Sequence, residues 1–355
     1  MAYTTIDDPS AYFHTQLYTG DGQSSKVITN DANAGDFQPD FLWIKERGGT
    51  SAHLLFDSTR GTDKKLNSNE AYAEQTYAYL SSYDADGFTI GTADLAINED
   101  TTPYVAWQWK ANGGSRTTNA EDGNNPAGGY QANATAGFSI VDYVGTGAAG
   151  TMAHGLGAVP SLIMIDNRDE ADSWAVYHSA NTGAPETDYL ILDTDAATAD
   201  DATYWNDTAP TSSVFTVTTA HSVNADAENY IAYCFTPIQG YSKFGGYTGN
   251  GDADDGVFIY TGFKPAWFMF KRTDAAPNAW IIVDNKRNTF NPTDNWLAAD
   301  ANGAEATHTR FDFLSNGFKA RQNYGNTNAD GGTYIYAAFA EQPFVTSGGV
   351  PCTAR

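Results

Sequence analysis

Four landmarks occur in one fixed order three times along this 355-residue chain, and that recurrence constrains its fold more than any other feature. The first is a Tyr-x-Gly strand end, at Tyr18-Thr19-Gly20, Tyr143-Val144-Gly145 and Tyr247-Thr248-Gly249. The second is a proline leading into an apolar run: Pro39-Asp40-Phe41-Leu42-Trp43-Ile44, Pro160-Ser161-Leu162-Ile163-Met164-Ile165 and Pro265-Ala266-Trp267-Phe268-Met269-Phe270. Aromatic-bearing strands follow, His53-Leu54-Leu55-Phe56-Asp57, Ser173-Trp174-Ala175-Val176-Tyr177 and Ala279-Trp280-Ile281-Ile282-Val283-Asp284. Each copy closes on a strand opened by Tyr104, Tyr230 or Tyr334. The copies are spaced by roughly a hundred residues, the size of a small domain.

Between the landmarks lie short runs rich in Val, Ile, Thr, Tyr, Phe and Trp, punctuated by Gly, Asn and Asp, the spacing expected of sandwiches. The expected fold is all-β, three tandem divergent β-sandwich repeats over 1–110, 137–237 and 238–344. A Gly, Asn, Ser and Thr-rich linker is expected at 111–136 and an extended tail at 345–355. Ser68 to Glu74 reads as a short surface helix or loop. Asp86-Gly87, Asn250-Gly251, Asp255-Gly256 and Asn316-Gly317 supply residues that tolerate positive φ where strands reverse. The apolar residues of the join Thr236 to Phe244 predict that the second and third copies pack together.

Charge limits the partners. With 43 acidic and 19 basic residues the net charge is −24, so nucleic acid and anionic lipid are repelled. The N-terminal segment has neither the basic start nor the apolar stretch of a secretory signal, and no apolar run is long enough to span a bilayer, so no membrane insertion is expected. Two cysteines, Cys234 and Cys352, exclude a disulfide framework and a cysteine zinc site.

Several strings together, Ile6-Asp7-Asp8-Pro9-Ser10, Tyr18-Thr19-Gly20, Gln38-Pro39-Asp40 with Trp43-Ile44-Lys45, Asp86-Gly87-Phe88, Gln239-Gly240-Tyr241-Ser242-Lys243-Phe244-Gly245 and Ala340-Glu341-Gln342-Pro343-Phe344, carry a resemblance over essentially the whole chain. It resembles a repeat family of uncharacterised virion proteins of marine tailed phages, described as structural or tail-fibre-like. The resemblance implies lectin-like or jelly-roll-like sandwiches and a place on the virion, at the tail or capsid surface, after synthesis in the host cytoplasm. It implies other virion proteins as partners, assembly as a homotrimer, and a host receptor or glycan as target; capsid decoration or a head fibre is the alternative. No slender shaft precedes the first copy, which points to a short fibre, a tail attachment or a decoration protein.

Rings standing in polar surroundings are candidate sugar platforms, because a ring stacks on the apolar face of a pyranose. Trp205, Trp296 and Tyr324 have this context; the competing use is to cap the end of a core. Calcium is the one cofactor considered, with Asp84, Asp86, Asp252, Asp254 and Asp255 as weak ligands, since their spacing matches no calcium loop and suits solvated turns. No catalytic motif is present, neither Gly-x-Ser-x-Gly nor His-Glu-x-x-His, and the chain is expected not to be an enzyme; a polysaccharide depolymerase is the remote rival.

Overall fold

The structure is a computed structural model and describes residues 2–31 and 36–353. Met1 and the last two residues of the expected tail lie outside the described residues. The fold is all-β and antiparallel, and three sheets share one strand order. In the first lobe the strands are Phe13–Thr19, Phe41–Glu46, Leu54–Asp57, Gly61–Leu66 and Pro103–Trp109. In the second they are Phe138–Val144, Leu162–Asn167, Ala175–His178, Asp188–Ile191 and Asn229–Phe235, and in the third Ser242–Thr248, Phe263–Arg272, Ile281–Asp284, Thr293–Ala298 and Thr333–Pro343. Each sheet runs first, fifth, second, third, fourth. The Pro-led runs become the second strands and the Tyr-opened runs the fifth.

Both faces of each sheet are covered. Outward, each packs on short strands of its own lobe: Lys26–Ile28, Leu80–Asp84 and Gly87–Ile90 in the first, Gly150–Ala153 with Val214–Val217 in the second, and Phe258–Tyr260, Ala306–Leu314 and Gly317–Ala320 in the third. Inward, all three contribute to one common core. Two-sided burial explains why Phe41–Glu46 and Leu162–Asn167 are buried at every position instead of alternating. At the centre, the last rings of the three fifth strands meet one another. Trp109 lies 6.3 Å from Phe235 and 5.6 Å from Phe339, and Phe235 lies 5.8 Å from Phe339, all edge-on.

One set of contacts between lobes runs in one cyclic sense. Immediately before the third strands, His53, Trp174 and Trp280 each send a ring N–H to the neighbouring lobe, to the carbonyls of Ala298, Asn67 and Ile191. Nδ1 of His53 accepts from the Trp43 indole, which leaves its Nε2–H to donate, and burial lowers its pKa to about 3. A second ring of contacts differs in chemistry. Tyr233 donates to Asp57, which is paired with the fully buried Arg60, while Glu74 binds Arg60 and Arg168. Trp107 donates to Asp284, paired with Arg287, and Glu305 binds Arg287 and Arg47. Where the third lobe meets the second, the same positions hold His178, Asn181, Thr198 and Thr273: His178 donates to the Tyr336 carbonyl and Thr198 to Asn181. That junction is neutral throughout.

Two expectations are corrected and a third is narrowed. The stretch 111–136 is no free linker, since Thr117–Asn119 and Gly128–Asn133 are strands that extend the second sheet, with Gln131 fully buried. Two of its glycines, Gly128 and Gly129, serve close packing: a Cβ on Gly128 would lie 2.1 Å from the Asp142 carbonyl oxygen. Of the two forms expected for Ser68 to Glu74, the loop is the one adopted, anchored by Ser68, which is buried and donates to the Ala299 carbonyl of the third lobe. The tail doubles back, with Val345 bridged to Pro351 and Asp7 accepting from Ser347.

Lys45, Asp166 and Lys271 share one buried register position, opposite Val105, Ile231 and Ile335. The lysines donate to loop carbonyls and burial pulls both down to about 8. Neither carboxyl oxygen of Asp166 has a hydrogen-bond partner among the described residues, and burial raises its pKa well above the usual carboxylate range. A raised folded pKa means stability is fullest below the ordinary carboxylate value of about 4 and falls as pH rises through the folded one. Asp166→Asn should therefore raise the thermal midpoint at pH 8, with the gain shrinking toward pH 4; a loss at pH 8 would contradict the assignment. In urea titrations Arg60→Ala should cost about 3–5 kcal/mol by stranding buried Asp57. Asn181→Ala, at the matching neutral position, should cost about 1 kcal/mol.

Candidate functional site

On the third lobe, the fourth strand of the sheet pairs with Ala306–Leu314, placing Asn295 opposite Thr307 and Trp296 opposite Ala306. His308 and Arg310 are two residues apart on that partner strand and project from the same face. Tyr324, Gly325 and Asn326 come from the turn that follows the hairpin, and Asn278 from the loop before the third strand. Together they line a cleft of about 440 Å³.

Its walls are rings. Trp296 and His308 are 6.5 Å apart and inclined by 32°, and Tyr324 meets His308 edge-on at 5.7 Å. The Arg310 guanidinium lies 4.4 Å from the Trp296 ring centre, within cation–π range. Arg310 is 3 % exposed and Tyr324 43 % exposed, so the cation forms the floor and the phenol the rim. The Arg310 Nη1 donates to Asn326 Oδ1 and Thr327 Oγ1, and burial pulls its pKa down to about 10, leaving it charged at neutral pH.

The structure brings two of the three ring candidates together and separates the third. Trp205 is 2 % exposed, donates its indole N–H to the Asp188 carbonyl and packs edge-on against Tyr177 in the second lobe's core. The polar neighbours that suggested exposure, Asn206 and Asp207, are turn residues with φ of 56° and 46° and leave the ring's own surroundings apolar. Arg310, His308, Asn278 and Asn326 escaped the sequence reading. The available signal was the alternation His308-Thr309-Arg310-Phe311-Asp312-Phe313, which marks a strand whose outer positions carry a histidine and an arginine.

Matching positions in the other lobes are filled differently. In the first lobe Lys65 stands where Trp296 does and lies 5.0 Å from Tyr77 and 5.8 Å from Tyr79, so cation and ring have changed places. In the second, Tyr189 stacks on Tyr204 at 3.8 Å. A larger cleft of about 600 Å³ lies between the first and third lobes, lined by Asp31, His14, Lys264, Lys286 and Glu341. Lys264 pairs there with Glu341 and Lys286 with Asp31, while Asp7 and Asp8, also on its wall, accept from Ser347 and Ser10.

Three of the calcium candidates are engaged in turn chemistry or an ion pair. Asp84 accepts from Ser82 and Thr89, Asp252 from the backbone N–H groups of Asp254 and Asp255, and Asp255 pairs with Lys319; Asp86 Oδ1 is buried with no hydrogen-bond partner among the described residues. Among the described residues no three His, Cys, Asp or Glu side chains form a group able to hold a metal ion. Among the described residues, too, no helix is long and apolar enough to cross a membrane.

Fold and site define an all-β protein of three antiparallel sheets around one core, with a cleft of rings and a buried arginine on its third lobe. The chain belongs to the family described as a domain of unknown function, DUF7483, whose profile matches residues 8–343 and so runs through all three lobes as one unit. No curated protein and no solved structure matches the chain.

Proposed function

We propose that the chain is a non-enzymatic surface protein of a tailed-phage particle, a tail-fibre or receptor-binding component, and that it binds host-surface glycan through the cleft between Trp296 and Tyr324. The observation that carries this reading is the lining itself: exposed or half-exposed rings on the walls, with amide and guanidinium donors between them. Sugars are held by that combination, ring faces against C–H groups and fixed polar groups on the hydroxyls.

Binding is favoured over cleavage by the same lining. Glycoside hydrolysis needs two carboxyl groups flanking the scissile bond, and Asn278, Trp296, His308, Arg310, Tyr324, Gly325 and Asn326 include none. The place on a virion rests on the sequence resemblance. Capsid decoration is the alternative position, and copy number per particle separates the two, hundreds for decoration and a dozen or so for the tail. Homotrimer formation is part of the proposal, although one chain already encloses the three-way packing that three single-lobed chains would make.

The test is adsorption. Purified protein should bind host cells and block phage attachment, and Tyr324→Ala, a change at an exposed ring, should weaken binding about tenfold or more while leaving the unfolding midpoint unchanged. Undiminished binding by the variant removes the cleft from recognition, and no binding by the wild type removes the receptor role.

A further inference from the structure

We propose that this cleft selects anionic sugars, with Arg310 as the residue that receives the acid group; the inference rests on the glycan-binding reading above. Every other described arginine meets a carboxylate. Arg310 has none within ion-pair distance among the described residues, in a chain whose acids outnumber its bases 43 to 19. An arginine left without a counter-ion in so acidic a protein stands where an external anion is to be bound.

Its hydrogen bonds show which part of the fork is available. Nη1 is held by Asn326 and Thr327 at 2.8 and 3.0 Å, which fixes the plane of the guanidinium. Nε of Arg310 and the indole Nε1 of Trp296 are buried donors with no acceptor among the described residues. Burying such donors unsatisfied is costly, more so for a charged group. Both of those donors are closed off from the cleft, so an anion meets the fork at Nη2, which has no acceptor among the described residues, and makes a charge-assisted hydrogen bond there.

The rings decide that the anion is part of a sugar. Arg310 covers one face of Trp296, so the accessible stacking surface lies on Tyr324 and His308 at the rim. A pyranose resting there directs an acid substituent inward to the floor. The net charge of −24 opposes any anion at long range. At about 0.15 M salt, however, exposed charges beyond roughly 8 Å are screened, and the fixed cation at contact distance dominates.

The test uses uronate-containing oligosaccharides, each paired with its carboxyl-reduced form of the same length, titrated at 0.15 M salt against the full chain. The wild type should prefer the acidic member of a pair by about tenfold, the value of one charge-assisted contact. Arg310→Gln should erase the preference and keep binding to the reduced form, and acetate alone should not compete at equal concentration. Should Arg310→Gln fail to fold, the wild-type ratio, with both members of the pair weakened in Tyr324→Ala, still decides. Equal binding within every pair, lost in Tyr324→Ala, overturns the acid selection and leaves glycan binding standing. Binding to no pair overturns both, and equal competition by acetate shows an anion site unrelated to sugars.

Discussion

The contact on which the molecule depends is the meeting of Trp109, Phe235 and Phe339, one ring from the end of each fifth strand, all within 6.3 Å of one another. Because each of these strands lies between the first and second strands of its lobe, bringing their last rings together turns the inner faces of all three sheets toward one centre. The inner faces can then be apolar, and the outer faces are apolar as well because each packs on its own lobe's short strands. Large rings fill such a space well, and removing one from a close-packed interior costs both transfer energy and a cavity.

Around that centre the ring N–H groups of His53, Trp174 and Trp280 join the lobes in one direction of rotation, and the three junctions are not chemically alike. Two carry a buried Asp–Arg pair backed by a Glu and a second Arg; the third carries His, Asn and two Thr. The exchange involves every member of the set, because an isolated buried charge is far worse than either a complete pair or none. Ala337 stands where Tyr233 and Trp107 donate in the other lobes, and there the neighbouring Tyr336 carbonyl accepts from His178 instead. The junctions thus behave as units of chemistry, which distinguishes the lobes and fixes which neighbour each one meets.

Much of this was legible in the residues. Pro39, Pro160 and Pro265 announced the second strands, and Tyr104, Tyr230 and Tyr334 the fifth. Trp296 and Tyr324 were singled out for their polar context and do line the cleft. The shared centre was not legible: inner and outer faces are both apolar, so no period-2 pattern distinguishes a lobe with its own core from one that lends a face to its neighbours. The Gly and Asn content of 111–136 signalled flexibility where it served close approach of strands. Trp205 misled because its polar neighbours belong to a turn. Arg310 was hidden because its importance lies in what it lacks, a carboxylate partner among the described residues, and that is visible only once the other described arginines have been placed.

A shared centre requires the lobes to unfold together, and native-state hydrogen exchange read by mass spectrometry tests this most directly. The amides of the three fifth strands, Pro103–Trp109, Asn229–Phe235 and Thr333–Pro343, should exchange with one common opening free energy and one common denaturant dependence, because loss of any lobe exposes the inner faces of the other two. Three separate opening energies, with one lobe exchanging while its neighbours stay protected, would show independent cores and contradict the central packing of Trp109, Phe235 and Phe339.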